Sequence, residues 1–424
     1  MIVRFGLPFA QTMIVLDRKR NKRMKVASRI VWAFVCLLVL FSPSRAQCLP
    51  DAKPENVGMC SSHLYRVRPL ILDAIDRGDF PGAVLLVGRQ GHIVFREAFG
   101  LSQLIPERRS MDTGMIFDLA SLTKPIVTAT SIMILVERGE IGLWDKVTEY
   151  VPGYIPYRGK NAREGQQTRI WHLLTHTSGL PSYTEVKEVA GKFDDHVSTE
   201  SLVKYISQLE KTNEPGKAFV YSCLGFITLA HILEQVTGKE IDLFAQQNIF
   251  DPLQMNHTFF NPPEEHRDYL VPTQVYDGKP LIGIAHDPLT RLQSGVSGNA
   301  GLFSTVDDLS VFAQMMLNGG TFRGHRVLSP LSVDRMTTVY PEVPFSGRGL
   351  GWDLDSSYAT CGGDVFGPNS YGHTGYTGTS IWIDPDTAMF VIFLTNRIHP
   401  YDEGTVISMR SKVANIVASS ITTK

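Results

Sequence analysis

The sequence predicts an α+β fold: one antiparallel sheet built from the two ends of the chain, flanked by helices, with a mostly helical lobe inserted at about 140–320. Three observations predict it. Strand patterns cluster near 83–95 and again near 379–394, while helical segments and long loops fill the middle. A helical pattern running from Ser121 to Gly139 is apolar almost all round (Ile126, Val127, Ile132, Met133, Leu135), which marks a helix buried in a core. No internal repeat or low-complexity linker divides the chain, so 47–424 reads as one domain.

The elements follow in order. Ser61 and Ser62 open a helix to about residue 77, with Leu64, Val67, Ile71 and Ala74 on one side and Gly78 as its stop. Apolar runs at 83–87 and 93–95 around Gln90-Gly91 read as a β-hairpin. Ser121 begins the apolar helix. Thr168 caps a short helix at 169–175, which closes at Gly179-Leu-Pro181, and 224–236 is a helix stopped by Gly238. Ser304-Thr-Val-Asp307 reads as a capping box before a helix at 309–317. Two strands, 379–383 and 389–394, turn at Pro385-Asp386, and a helix at about 408–421 ends the chain.

The formal net charge of −1 hides an asymmetry. Residues 1–46 hold nine Lys/Arg and one acid; without them 32 basic and 41 acidic residues remain, a net charge of −9. An acidic body of that kind leaves no footprint for nucleic acid. The basic leader runs into an apolar stretch at 30–41, too short for a span of about 20 residues, and then into Ser44-Arg45-Ala46 before Gln47. This is the pattern of a secretory signal peptide at 1–46, so the protein is expected to be exported, to a periplasm or beyond the cell. Met24 opens a more typical leader and is an alternative start; an uncleaved leader would leave a membrane anchor. Four cysteines lie past the leader. Cys48 and Cys60 are close enough to pair, the alternative being four separate thiols. No Cys-x-x-Cys pair or His/Cys cluster points to a metal, and no cofactor is expected. His172 and His176 stand four apart, but no acid or third ligand accompanies them.

Three segments carry residues suited to chemistry. In Ser121-Leu-Thr-Lys124, helical spacing sets an amine beside a hydroxyl that needs a base to become a nucleophile. Tyr221-Ser-Cys223 lies at a helix start, where a tyrosine near cations can shuttle a proton. His373-Thr374-Gly375 lies just before a strand and is followed by Tyr376; glycines let a strand edge approach a substrate, and such an edge supplies backbone N–H groups to an oxyanion.

These segments, in this order and spacing, resemble the penicillin-recognising serine hydrolases: class C β-lactamases, serine D-Ala-D-Ala carboxypeptidases and family VIII carboxylesterases. Their signature is Ser-x-x-Lys, then Tyr-x-Asn or Tyr-Ser-x, then Lys-Thr-Gly or His-Thr-Gly. Asp118-Leu-Ala-Ser-Leu-Thr-Lys124, Leu173-Leu-Thr-His-Thr-Ser-Gly-Leu180 and Gly301-Leu-Phe-Ser304 resemble the family as well. No Gly-x-Ser-x-Gly elbow is present. The resemblance implies a β-lactamase/transpeptidase-like fold and an acyl-enzyme on Ser121. Lys124 would hold or remove its proton, and Tyr221 would act as general base and then acid. The N–H groups of Ser121 and Tyr376 would bind the oxyanion, and His373 would orient a substrate carboxylate or tune Tyr221. Thr374, Gly375 and Cys223 would face the substrate, a small ester, peptide or β-lactam. Cys223 stands where asparagine is usual and His373 where a fixed cation is common, departures that hurt ester cleavage less than β-lactam cleavage. The alternative is a binder or sensor of β-lactams or cell-wall peptides that acylates without turnover.

Overall fold

The computed structural model describes residues 48–423 apart from 160–166, 193–196 and 359–360, and the leader expected at 1–46 lies outside the described residues. Cys48–Lys424 forms one compact unit.

The strands that matter are β1 Gly82–Arg89, β2 His92–Gln103, β3 Arg109–Ser110, β4 Phe117–Asp118, β5 Phe259–Phe260, β6 Leu302–Ser304, β7 Tyr371–Thr374, β8 Ser380–Asp384 and β9 Met389–Thr395. The helices are α1 Val67–Asp76, α2 Thr130–Glu137, α3 Ile170–Leu174, α4 Thr199–Ser207, α5 Cys223–Thr237, α6 Pro288–Leu292, α7 Val306–Leu317 and α8 Ile407–Ser419. The main sheet has the order β7-β8-β9-β1-β2-β3, and its pairings are antiparallel. The C-terminal strand β9 lies against the N-terminal β1, with Val84 opposite Leu394 and Leu86 opposite Ile392. The sheet is thus closed from both chain ends, as the strand patterns predict.

Alternation along the central strands divides two cores. Val84, Leu86, Phe390, Ile392 and Leu394 face the helical body, whereas Ala83, Leu85, Val87, Val391 and Phe393 face α1 and α8. Both faces being covered explains why β1 from Ala83 to Val87 and β9 from Met389 to Leu394 are continuous apolar runs instead of alternating. A second small sheet, β4-β6-β5, sits beside the nucleophile turn.

Three local differences from the sequence reading have physical causes. The first helix breaks at Tyr65–Arg66 into Ser61–Leu64 and α1, because Pro69 cannot donate to the carbonyl four residues back. The helix after Ser121 is not regular. A 3₁₀ turn at Ala120–Leu122 leads into a π-wound segment, Lys124–Ala129, and only then into α2; Pro125 lacks the N–H that an α-turn would use. By length and composition Ala120–Glu137 could cross a membrane, but 83% of it is buried inside the protein, as befits a core helix. Finally, Ser304 belongs to β6, and Thr305 caps α7 by accepting from the Asp308 N–H at 3.2 Å.

Candidate active site

The three chemistry-bearing segments converge. Ser121, Tyr221, His373, Thr374, Gly375 and Tyr376 line one cavity of about 550 Å³ at the sheet edge. Lys124 is fully buried and donates to Ser121 Oγ at 2.9 Å and to the carbonyl of Asn299 at 2.9 Å. Burial works against its charge, but the Cys223 thiol and the Tyr221 phenol outweigh that and hold the amine above its ordinary value. Lys124 is therefore an ammonium at neutral pH. Its Nζ lies 5.1 Å from the centre of the Tyr221 ring.

Ser121 sits on a tied turn. Ala120, a non-glycine residue, has a φ of 47°, in the left-handed region. The turn is fixed by Leu119 N–H to the Leu302 carbonyl (2.9 Å), Thr123 Oγ1 to the Ala120 carbonyl (2.7 Å) and Ala120 N–H to Asp118 Oδ1 (2.8 Å). Strain at such a residue costs about 1–3 kcal/mol and persists only where neighbours over-determine it.

His373 is expected just before a strand; instead it lies within β7, the last strand of the sheet, paired with Ile381, while its neighbour Gly372 bridges to Asp353 on the outer side. Four residues that include Gly372 carry too little β-branched pattern to be read as a strand, and the pairing is made by the backbone. The turn after β7 grips the nucleophile turn: Thr377 Oγ1 donates to the Asp118 carbonyl at 2.7 Å and Thr379 Oγ1 to the Leu119 carbonyl at 3.0 Å. The His373 Nδ1–H donates to the Thr374 carbonyl at 2.9 Å, which leaves the Nε2 lone pair buried and without a partner. Burial, with Arg348 and Lys124 nearby, pushes its pKa well below the usual histidine value, so the ring is neutral. It cannot supply the fixed cation of a Lys-Thr-Gly motif.

Cys223 lies beside Lys124; burial raises its thiol and the ammonium opposes that. The four described cysteines are separate thiols, so Cys48 and Cys60 are not paired.

Sequence reasoning missed several residues of the site. His176 accepts the Ser222 N–H at Nδ1 (3.0 Å) and stacks 4.3 Å from Tyr221, so it places the Tyr221 segment. His172 does something else: it accepts the Arg169 N–H and stacks on Trp171. Arg348, buried and 3.2 Å from Asp353, lies 5.5 Å from the Tyr221 ring, and Tyr358 stacks on the same ring. Arg410, on α8, donates to the carbonyls of Gly375 and Thr379 and secures the turn after β7. Among these only His176 had a signal, its place in the Leu173–Leu180 segment.

The arrangement presents a buried amine on a serine hydroxyl, a tyrosine over the amine and a strand edge across the cavity, which suits acyl transfer to Ser121. Comparison with known proteins gives the family. The family model described as Beta-lactamase matches residues 67–414. A Bacillus subtilis (strain 168) protein named N-acetylmuramyl-L-alanine amidase is 31% identical over 412 residues, covering 89% of this chain and 92% of the relative. Among solved structures, EstCE1, a hydrolase with promiscuous acyltransferase activity, superposes with a TM-score of 0.69 at 23% identity, over 84% of this chain and 99% of that one. A family VIII carboxylesterase gives 0.64 at 20% identity, over 86% and 99%. At these identities the two structures are alike in fold.

Proposed function

The chain belongs to the beta-lactamase family, and from that membership together with the Ser121–Lys124 pair we propose that it is an exported serine hydrolase that cleaves small esters or amides through an acyl-enzyme. The observation that carries the reading is the 2.9 Å contact from the buried Lys124 amine to Ser121 Oγ, a residue that lines a cavity of substrate size.

Ser121 Oγ attacks the substrate carbonyl carbon. Tyr221 acts as general base, taking the serine proton, and then as the acid that passes it to the leaving alcohol or amine. Lys124 remains an ammonium and holds Oγ in line. The backbone N–H groups of Ser121 and Tyr376 receive the oxyanion, which a rigid turn favours because the donors need no rearrangement. Water, deprotonated by the same tyrosine, then releases the acid. A neutral His373 supports simple esters and amides ahead of β-lactams, whose carboxylate calls for a fixed cation at that position. The name of the Bacillus relative adds cell-wall amides to the candidate substrates. Export rests on the leader at 1–46, and N-terminal sequencing of protein recovered outside the cytoplasm is expected to begin at Gln47.

The test is intact-mass detection of an adduct across activated esters, D-Ala peptides, muramyl amides and β-lactams, with turnover followed in parallel. An adduct on Ser121 and sustained release of product are expected, and Ser121→Ala is expected to remain folded and lose both. Undiminished turnover in that variant ends the reading. A stable one-to-one adduct without release would instead indicate a sensor.

A further inference from the structure

Asp118 is a buried carboxylate, three residues before the nucleophile, that the reaction does not use. It is 3% exposed. Its two oxygens face two different segments: Oδ1 accepts the Ala120 N–H at 2.8 Å, and Oδ2 accepts the His286 N–H at 2.7 Å. Its own carbonyl accepts from Thr377 Oγ1. The carboxylate therefore stands where the nucleophile turn, the segment leading into α6 and the turn after β7 meet. Ala120, the residue that it holds, has the left-handed φ of 47° and is joined directly to Ser121.

We propose that Asp118 is a positioning residue: its carboxylate clamps the strained Ala120 and so sets the direction of Ser121 Oγ, and adding a proton to it slackens the nucleophile. The inference rests on the acyl-enzyme reading above. A carboxylate is the fitting group because both partners are N–H donors, and a proton on either oxygen weakens that oxygen as an acceptor.

The titratable and charged groups about Asp118 are His286 and Asp287 just before α6, Arg291 within it, and Tyr376, on which the His286 ring stacks. Asp118 pairs with Phe303 of β6, a strand with no titratable side chain. Burial raises the Asp118 carboxyl to about 6, against the two N–H bonds, and Asp287 adds to the rise while Arg291 opposes it. The sign for stability is opposite to that for activity. A carboxyl raised above its ordinary 3.8 contributes stability below that value and loses it as pH rises through about 6, the range in which the clamp forms.

The test follows acylation of the full chain by p-nitrophenyl acetate, with intact mass reading the Ser121 adduct over time from acid to neutral pH. Wild-type acylation is expected to slow as pH falls through about 6. Asp118→Asn is expected to acylate about tenfold more slowly at neutral pH, since a displaced nucleophile reacts slowly. It is also expected to lose the acid limb and to melt somewhat lower than wild type at neutral pH, because its amide accepts from only one of the two N–H groups. Ala120→Gly in the Asp118→Asn background is expected to restore most of the rate, since glycine takes a positive φ without strain. If Asp118→Asn does not fold, Ala120→Gly alone decides, with a weakened acid limb expected. Wild-type acylation that is flat with pH, Asp118→Asn that acylates like wild type, or Ala120→Gly with the full wild-type acid limb overturns the proposal. Failure of wild type to acylate at any pH removes the hydrolase reading and this proposal with it, whereas wild-type rates in Asp118→Asn remove only the positioning role.

Discussion

Two lysines in this protein show how neighbours decide the state of a buried amine. Lys211 is 7% exposed, and burial together with Arg158 lowers it to about 8. Lys124 is wholly buried yet moves the other way, because Cys223 and Tyr221 face it and each gains from a cation. The difference lies in what surrounds the nitrogen, since both amines leave water. Among the described residues no carboxylate forms an ion pair with Lys124; its two acceptors are Ser121 Oγ and the Asn299 carbonyl. A charge kept without a counterion costs stability, a cost that fits the proposed role of aligning Ser121. Lys124→Met keeps the volume and removes the charge. It is expected to lower kcat/KM for an activated ester by about 10²–10⁴-fold while Tm holds or rises. Ester hydrolysis and thermal melting on the same preparation check this, and a large fall in Tm would show the amine to be structural.

At the scale of elements, the site depends on how closely the turn after β7 approaches the nucleophile turn, and Gly375 sets that approach. A Cβ at this position would stand 2.1 Å from Thr379 Oγ1 and 2.4 Å from the Leu119 carbonyl oxygen. The second neighbour is backbone and cannot swing aside. Gly375→Ala is expected to push the strand edge away from Ser121, costing about 1–3 kcal/mol of stability and about 10²-fold in kcat. Urea unfolding and single-turnover acylation measure the two effects, and an unchanged acylation rate would show that the close approach is unnecessary. Elements also explain what was legible in the chain. Ser121-Leu-Thr-Lys124 could be read because its partners are three residues apart, and the hairpin and core helix because their apolar periods are local. The bonds of Asp118, which was seen only as the start of a family-like segment, and of Arg348 and Arg410 could not be read: Asp118 bonds to His286 and Arg410 to Gly375 and Thr379, groups that only the folded chain brings near. The edge strand at His373 was missed for a similar reason, since backbone pairing with β8 makes it a strand and side-chain pattern does not.

At the scale of the whole molecule, burial favours the neutral form of six of the described histidines. Burial lowers His172 to about 3, takes His176 and His373 well below their usual value, and lowers His231, His286 and His399 as well. Each of these is a linkage between pH and stability. A histidine whose folded pKa lies below 6.5 contributes stability above 6.5 and loses it as pH falls, because the unfolded chain takes up the proton first. For His172, 6% exposed, the loss at pH 5 is on the order of 2 kcal/mol. Buried carboxyls act in the opposite sense. Asp118 at about 6 and Glu234 at about 7 are easier to bury protonated, and Asp308 is also raised. They stabilise the fold as pH falls, but the lowered histidines outnumber them. Tm is therefore expected to hold between neutral and mildly alkaline pH and to fall steadily below about pH 6. His172→Gln removes one such proton site. The variant is expected to lose some stability at neutral pH, where stacking on Trp171 at 3.7 Å is given up, yet to decline less steeply on acidification. Melting curves at a series of pH values for both proteins separate these effects. Parallel decline of the two curves would exclude His172 as a source of acid sensitivity, whereas convergence of the curves toward acid pH would assign that share of the loss to its buried, uncharged ring.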